Sequence, residues 1–267
     1  MVKRLIIGCL LLTLSASLMA QKHFKPSRPR NDAALYERPI LGVRAGGSLP
    51  WLSFTDSRLD GMPSDIIVRP SLAAFVEFPL ARICTLAPEL GYQNKGGSNT
   101  YWYANRYKET YSINANTVSL RVPVVLYYPV SDRWKPYVFA GPELGIAIGG
   151  NIQLSHPKHS PLKNYETKIT TYNYRRAALN AVGGMGIRYN IPLSLITLVV
   201  KADAAINWGL TDTYSQREHN IQSSPLNVSS YHIVGKRYLR GLEFHLGLGF
   251  FFNKPDGCGG FRSNCYL

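Results

Sequence analysis

The sequence has few cysteines, few acidic residues and, after its first twenty residues, no long uninterrupted apolar run. Its 267 residues include 4 cysteines and 16 acidic against 30 basic side chains. The longest apolar candidate, 191–210, is broken by Pro192, Lys201 and Asp203, whereas a membrane helix needs about 18 apolar residues in a row. This excludes a helical span beyond the N-terminus. If the mature chain crosses a membrane, it must use strands, because only helices and closed barrels satisfy every backbone group in lipid.

The first twenty residues have the layout of a cleaved secretory signal. Lys3 and Arg4 are followed by the apolar run 5–14 and by a small-residue exit at Ala20. A lipoprotein signal is the alternative because 6–9 resembles a lipobox, but Cys9 lies inside the apolar run, which disfavours lipidation. We therefore predict that 1–20 is removed and that the chain is exported. The basic, proline-rich segment 21–39 then forms a flexible periplasmic lead-in.

The excess of basic residues indicates which partners an exported chain could meet. The formal charge is +14, and it falls by two, to +12, when Lys3 and Arg4 leave with the signal. Such a protein could contact lipopolysaccharide phosphates or an acidic envelope protein. Nucleic acid is excluded as a partner, since the chain leaves the cytoplasm and has no helix-turn-helix, zinc or RNA-recognition pattern.

The cysteine count gives little support for a metal or cofactor site. The mature chain keeps Cys84, Cys258 and Cys265. Cys258 and Cys265 lie in a glycine-rich tail, 253–267, and could close a small disulfide loop, leaving Cys84 as a single buried thiol. A zinc site would need a fourth ligand and a recognisable spacing. The glycine cluster 183–186 lies within a strand pattern and opens no helix, so we expect no dinucleotide or other cofactor.

An apolar period of two returns throughout residues 40–252, which is typical of strands. Eight segments are long enough to cross a bilayer as tilted strands of about 9–11 residues. Their predicted bounds are 40–49, 66–78, 84–96, 114–128, 136–149, 177–190, 196–208 and 238–252. Long gaps follow the odd-numbered segments and short gaps follow the even-numbered ones. This alternation predicts an all-β fold, an eight-stranded antiparallel up-and-down transmembrane β-barrel with short periplasmic turns and long external loops.

The last segment shows the two faces most clearly. Its even-numbered residues, from Leu242 to Phe252, are apolar and end aromatic, whereas Glu243 and His245 alternate with glycines on the other face. We assign the apolar face to lipid and the polar face to the interior.

The predicted interior carries charges of both signs in nearly equal number. An eight-stranded barrel leaves only enough space for side chains, and unpaired buried charge is very costly. These side chains must therefore pair with one another and plug the barrel. The predicted interior charge network consists of Arg44, Arg69, Glu77, Glu89, Arg121, Glu143, Arg188, Lys201, Asp203 and Glu243.

Five motifs in order resemble those of PorT-like outer-membrane β-barrel proteins. They are TLAPELGYQNKGG at 85–97, VSLRVPVVLYYPV at 118–130, KPYVFAGPELGIAIG at 135–149, INWGLTDTY at 206–214 and the closing strand. The resemblance covers 40–252 and implies an eight-stranded outer-membrane barrel. For the namesake it also implies participation in type IX protein secretion, with secretion-system envelope proteins as partners. The basic lead-in and the cysteine-containing tail depart from the family pattern.

Four functions are compatible with these patterns. The leading hypothesis is a non-catalytic barrel that is an accessory or assembly factor in secretion. The second is a surface barrel whose basic, tyrosine-rich loops bind lipopolysaccharide or host ligands. A barrel protease or acyltransferase would need a fixed rim constellation of histidine with Asp or Ser, and a pore would need an open lumen. The loop residues on which these hypotheses depend are Lys158, Lys163, Lys168, Arg175, Arg176, Arg217, Lys236, Arg237, Tyr165, Tyr172, Tyr174, Tyr214, Tyr231, His156, His159, His219 and His232.

Overall fold

The computed structural model describes residues 38–54, 64–65, 67–81, 83–103, 107–128, 130–131, 133–156, 164–169, 174–213 and 237–253. The predicted signal, nearly all of the lead-in, and the tail cysteines Cys258 and Cys265 lie outside these residues. Cys84 is a free thiol that is partly exposed, so the prediction of a buried thiol is wrong. No helix in the described part of the chain is long and apolar enough to span a membrane.

The described residues form strands almost throughout. The eight long strands are β1 (Ile40–Phe54), β2 (Arg69–Ala81), β3 (Cys84–Leu86 and Glu89–Tyr103), β4 (Tyr107–Arg121 and Val124–Tyr127), β5 (Trp134–Ser155), β6 (Ala177–Pro192), β7 (Ile196–Gly209) and β8 (Arg237–Phe252). Prolines interrupt two of them, Pro88 in β3 and Pro123 in β4, because proline has no N–H to donate to a ladder. Short strands at Ser64–Asp65 and Tyr165–Lys168 extend the edges of β3 and β5.

Each long strand pairs antiparallel with the strands before and after it in sequence, and the first pairs with the last. The β1–β8 ladder runs from Leu41↔Phe250 to Phe54↔Arg237, and the other ladders join consecutive strands around the ring. Next to the Leu41–Phe250 end of this ladder, Arg38 Nη1 also donates to the carbonyl of Phe252. A closed ring leaves no sheet edge unpaired. The predicted eight-stranded antiparallel up-and-down barrel is confirmed.

Strand alternation sorts the side chains as the sequence predicts. On β8, Leu242, Phe244, Leu246 and Leu248 are 37–69% exposed, while Glu243 and His245 between them are 2% and 5% exposed. The exposed side chains are apolar, as expected for a face in contact with lipid. The gaps between strands at 82–83, 128–133 and 193–195 are short in sequence, and the strand ends that flank them mark the periplasmic end. The strand ends that flank the longer gaps define the other, external end.

The strands extend further than predicted at the external end. The predicted long loop after the third segment is wrong, because β3 and β4 stay paired until Tyr103↔Tyr107 and only 104–106 separates them. β5 has 22 residues, about twice the 9–11 that cross a bilayer. Polar residues in these extensions interrupt the apolar alternation, so the sequence pattern predicts a loop there. Outside the membrane, however, strands can pair without an apolar face.

Candidate functional site: the ion-paired interior

The candidate site is the set of charged side chains that point into the barrel. They lie at the inward positions of β1 to β8, because successive side chains of a strand point to opposite faces of the sheet. Glu77 and Glu143 have 0% and Glu243 has 2% of their surface exposed. Carboxylates that far from water need cationic partners. The structure provides those partners in three groups at successive depths.

The group nearest the external end surrounds Glu143. Lys95 Nζ and Arg121 Nε both form ion pairs with it, and the side-chain amides of Asn180 and Asn207 each donate to it at 2.8 Å. Arg121 also contacts Glu243, with 2.6 Å between Nη1 and Oε2 and 2.7 Å between Nη2 and Oε1. The five strands β3, β4, β5, β6 and β7 therefore meet at Glu143, and Arg121 extends the group to β8.

The middle group joins Arg44 to two carboxylates. Arg44 Nη2 lies 2.5 Å from Glu89 Oε2, and its Nη1 lies 3.7 Å from Asp203 Oδ1. Tyr137 donates from its hydroxyl to Asp203 Oδ2 at 3.0 Å. His245 Nδ1 lies 3.1 Å from Asp203 Oδ1. His245 is thus a member of the packed polar network.

The group nearest the periplasmic end surrounds Glu77. Lys201 forms an ion pair with it, Tyr127 donates to it at 2.8 Å, and Arg188 Nη1 lies 3.7 Å away. Lys201 Nζ also lies 4.7 Å from the centroid of the Tyr137 ring. Aromatic faces therefore complete the surroundings of this buried ammonium.

Arg69 departs from the predicted network. Its Nη1 lies 3.4 Å from Asn114 Oδ1, a side-chain amide on β4, and no ion pair with a carboxylate of the described residues is present. Asn114 also accepts from Asn94, and Asn94 donates to Asn116 at 2.7 Å. This asparagine group lies beyond Tyr92, at the external end of the apolar face of β3. β2 stops pairing with β3 at Ser71, so Arg69 can reach this group.

Sequence reasoning missed several members of the interior. The motif pattern assigns Lys95 to a strand exit, although this residue continues the odd-numbered inward positions of β3. Lys135 lies one residue before the predicted start of its strand and is 6% exposed. The other missed members are neutral amides and phenols. The only sequence signal for them is their position along the strand, which alternates between inward and outward. They are Gln93, Asn180, Asn207, Tyr127 and Tyr137.

Apolar layers lie within the same barrel on either side of the ions. Ile40, Phe75, Val199 and Phe251 form a buried cluster at the periplasmic end. Toward the external end, the buried apolar side chains are Leu52, Ile113, Ala115, Ile152, Ile169 and Leu239. A gap beside Arg44, Glu89 and Arg121 has a volume of about 10 Å³, which is the space one water molecule needs. The ion pairs and the two apolar layers thus occupy the interior of the described barrel from one end to the other.

The loop residues that an enzyme or a surface-binding barrel would use are only partly described. His156 is at the end of β5, and its backbone N–H donates to Asn164. Lys168 ends a short strand, while Arg175 and Arg176 are exposed. No group of three or more metal-ligating side chains occurs among the described residues. The loop residues outside the described ranges are Lys158, Lys163, Arg217, Lys236, Tyr172, Tyr214, Tyr231, His159, His219 and His232.

An apolar outer face, a filled polar interior and a closed antiparallel ring define the class of small outer-membrane β-barrels. Residues 37–215 match the family model described as outer membrane protein beta-barrel domain, and the chain belongs to this family. It is therefore an outer-membrane protein. No curated protein matches the sequence.

Three solved structures of outer-membrane barrels are similar to the chain. The attachment invasion locus protein Ail of Yersinia pestis is 10% identical, with a TM-score of 0.36, covering 79% of this chain and 98% of Ail. Neisserial surface protein A is 11% identical, with a TM-score of 0.37 and coverage of 79% and 95%. A major outer membrane protein of Thermus thermophilus is 13% identical, with a TM-score of 0.37 and coverage of 80% and 99%.

Proposed function

We propose that this protein is a closed, non-catalytic barrel that acts through its parts outside the membrane. The filled interior carries this proposal. Arg121 connects Glu143 to Glu243, and apolar layers lie on both sides of the ions. A solute would have to displace several buried ion pairs to pass, which makes a pore the less favourable interpretation.

Conductance across a planar bilayer tests the closed lumen. The refolded barrel should give no ion steps above the baseline of the empty bilayer. A variant that removes three network side chains, Arg121→Ala with Glu143→Ala and Glu243→Ala, should conduct if it folds, because it removes the ions that fill the cross-section. Steady conductance of the unaltered protein would contradict the proposal.

Within this class, an accessory or assembly role in type IX secretion is the finer proposal. Its support is the ordered resemblance of five strand motifs to PorT-like barrels. In a bacterium with this secretion system, deletion of the gene should leave C-terminally tagged cargo in the periplasm. Re-expression of the full chain should restore surface display. Unchanged cargo export in the deletion strain, with other outer-membrane proteins at normal levels, would contradict the role.

A second candidate is a surface-interaction barrel. The specific observation is the paired sheet that β3, β4 and β5 build beyond the apolar band. Its outward side carries asparagines in register, with Asn94 opposite Asn116 and Asn114 opposite Asn151. Each side-chain amide has two donor hydrogens and an acceptor oxygen, so the groups that are not used between the asparagines can bond polar ligands.

Replacing Asn94, Asn114 and Asn116 by alanine should then abolish binding to glycans or host surfaces while the barrel still folds. Asn253, which donates to the periplasmic turn carbonyl of Leu193, provides the control position at the opposite end. Equal binding by the triple variant and the unaltered protein would exclude this candidate.

A further inference from the structure

Three side chains on the outer wall lie in one row across β1, β8 and β7. Trp51 is the Cα partner of Arg240, and Arg240 is the partner of Trp208. Arg240 is on the same face of β8 as Leu242 and Phe244, so the row faces outward. The guanidinium carbon of Arg240 lies 3.6 Å from the centroid of the Trp208 ring. A planar cation is thus stacked on an indole on the surface that faces lipid.

The row lies at the external edge of the apolar band. On β8 the outward face is apolar from Leu242 to Phe252, a span of ten residues. At about 3.3 Å per residue and a tilt of about 40°, this span covers about 25 Å, the usual height of the band in such barrels. Arg240 is the next outward-facing residue beyond it. Its guanidinium therefore lies at the level of the lipid headgroups, where tryptophans are also enriched.

Arg240 lacks the partners that the interior arginines have. Its Nε is buried and has no hydrogen-bond partner. In the part of the chain that the structure describes, its contact is the Trp208 ring, and no carboxylate pairs with it. One face of the guanidinium is covered by the indole, and its terminal nitrogens have no hydrogen-bond partner among the described residues. The fixed fork of arginine donors matches the oxygens of a phosphate.

A shallow apolar recess of about 860 Å³ lies on the outer wall below the row, across β4 to β8 and β1. Its lining includes the small side chains of Ala202 and Ala204 and, beside them, Met185 on β6 and Phe244 on β8. Ala204 is four residues from Trp208 along β7, which is about 13 Å. A ligand with a charged head and a hydrocarbon chain could contact the row and the recess together.

We propose that Trp51, Arg240 and Trp208 bind the phosphate of an acylated headgroup, namely the lipid A part of lipopolysaccharide, with one acyl chain in the recess. The recess favours a lipid over free phosphate, because an inorganic anion would make no use of it. The site is on the outer wall and does not depend on the closed lumen or on a role in secretion.

Native mass spectrometry of the refolded mature barrel in a neutral detergent tests this assignment. Bisphosphorylated lipid A should bind, dephosphorylated lipid A should bind at least tenfold more weakly, and inorganic phosphate at the same concentration should not compete. Equal binding of the dephosphorylated form would overturn the phosphate site. Competition by inorganic phosphate would overturn the lipid assignment.

Variants locate the binding. Arg240→Gln should weaken lipid A binding at least tenfold, and Arg240→Lys should weaken it less, since lysine keeps the charge but not the stacked fork. Arg133→Gln, at an exposed periplasmic turn, is the control and should bind as the unaltered protein does. Heat-modifiable migration on gels shows which variants fold. If Arg240→Gln does not fold, Trp208→Leu is tested in its place and should also weaken lipid A binding. Unchanged binding by a folded variant of either residue would refute the site.

Discussion

Arg121 on β4 and Glu243 on β8 form an ion pair across the barrel, although they are 122 residues apart in sequence. Both terminal nitrogens of the guanidinium contact the carboxylate, at 2.6 Å and 2.7 Å, while Arg121 Nε pairs with Glu143 on the adjacent strand. One arginine thus compensates two buried carboxylates. Strands that are not neighbours in the ring are connected through the lumen by this side chain.

Arg121→Met should be among the most destabilising single changes in the interior. It leaves Glu243 without its cation, and Glu143 keeps one cation, Lys95, besides the amides of Asn180 and Asn207, so we expect a loss of about 3–5 kcal/mol in the free energy of unfolding. Urea unfolding in lipid vesicles, followed by tryptophan fluorescence, measures the change. Arg133→Met removes an exposed arginine and should cost under about 0.5 kcal/mol. Similar losses for the two variants would contradict the role of Arg121.

Glu77 should be more sensitive to substitution than its partner Lys201. Glu77→Gln leaves two buried cations, Lys201 and Arg188, without their carboxylate, and should cost about 3–5 kcal/mol. Lys201→Met leaves Glu77 with Arg188 at 3.7 Å and the Tyr127 hydroxyl at 2.8 Å, so its cost should be about 1–3 kcal/mol. The same unfolding assay ranks them. The reverse order would show that the ammonium, not the carboxylate, organises this group.

Two adjacent glycines of β5 provide a matched test of backbone conformation. Gly150 has a φ of +130°, and a Cβ there would lie 1.9 Å from the carbonyl oxygen of Asn114. Gly150→Ala should therefore cost at least about 2 kcal/mol. A Cβ at Gly149 would meet nothing within 4 Å, so Gly149→Ala should change stability by less than about 1 kcal/mol. Comparable losses at both positions would contradict the role of the positive φ of Gly150.

The fold was largely predictable because lipid imposes a strict period of two on each strand. All eight strands overlap their predicted segments, and the two faces of β8 follow from parity alone. Where the chain leaves the membrane this constraint ends. The polar extensions of β3 and β4 therefore look like a loop in sequence, and the pattern assigns Lys95 to a strand exit instead of pairing it with Glu143.

Parity places a side chain inside, but it does not choose its partner. Arg69 and Arg121 occupy equivalent inward positions in the pattern. Arg121 reaches two carboxylates, while Arg69, at the end of a diverging strand, reaches Asn114. Pairing depends on side-chain length, strand stagger and the local bulge at Asn116/Thr117. These quantities are set by the closure of the ring and are not visible in one sequence.

The membrane position of the barrel predicts that the cost of a lipid-facing charge depends on depth. Leu246 is near the middle of the apolar face of β8 and is 69% exposed on it, so Leu246→Arg should cost about 2–4 kcal/mol. Leu242 lies at the external edge beside Arg240, so Leu242→Arg should cost only about 0–1 kcal/mol. Both variants lose a leucine from the same face and the same strand, and only their depth differs. Unfolding in vesicles should therefore separate them, because an arginine at position 242 can extend into the headgroups while one at 246 cannot. Equal costs would mean that the band from Leu242 to Phe252 is not centred in the bilayer, and the assignment of Arg240 to the headgroup level would be wrong with it.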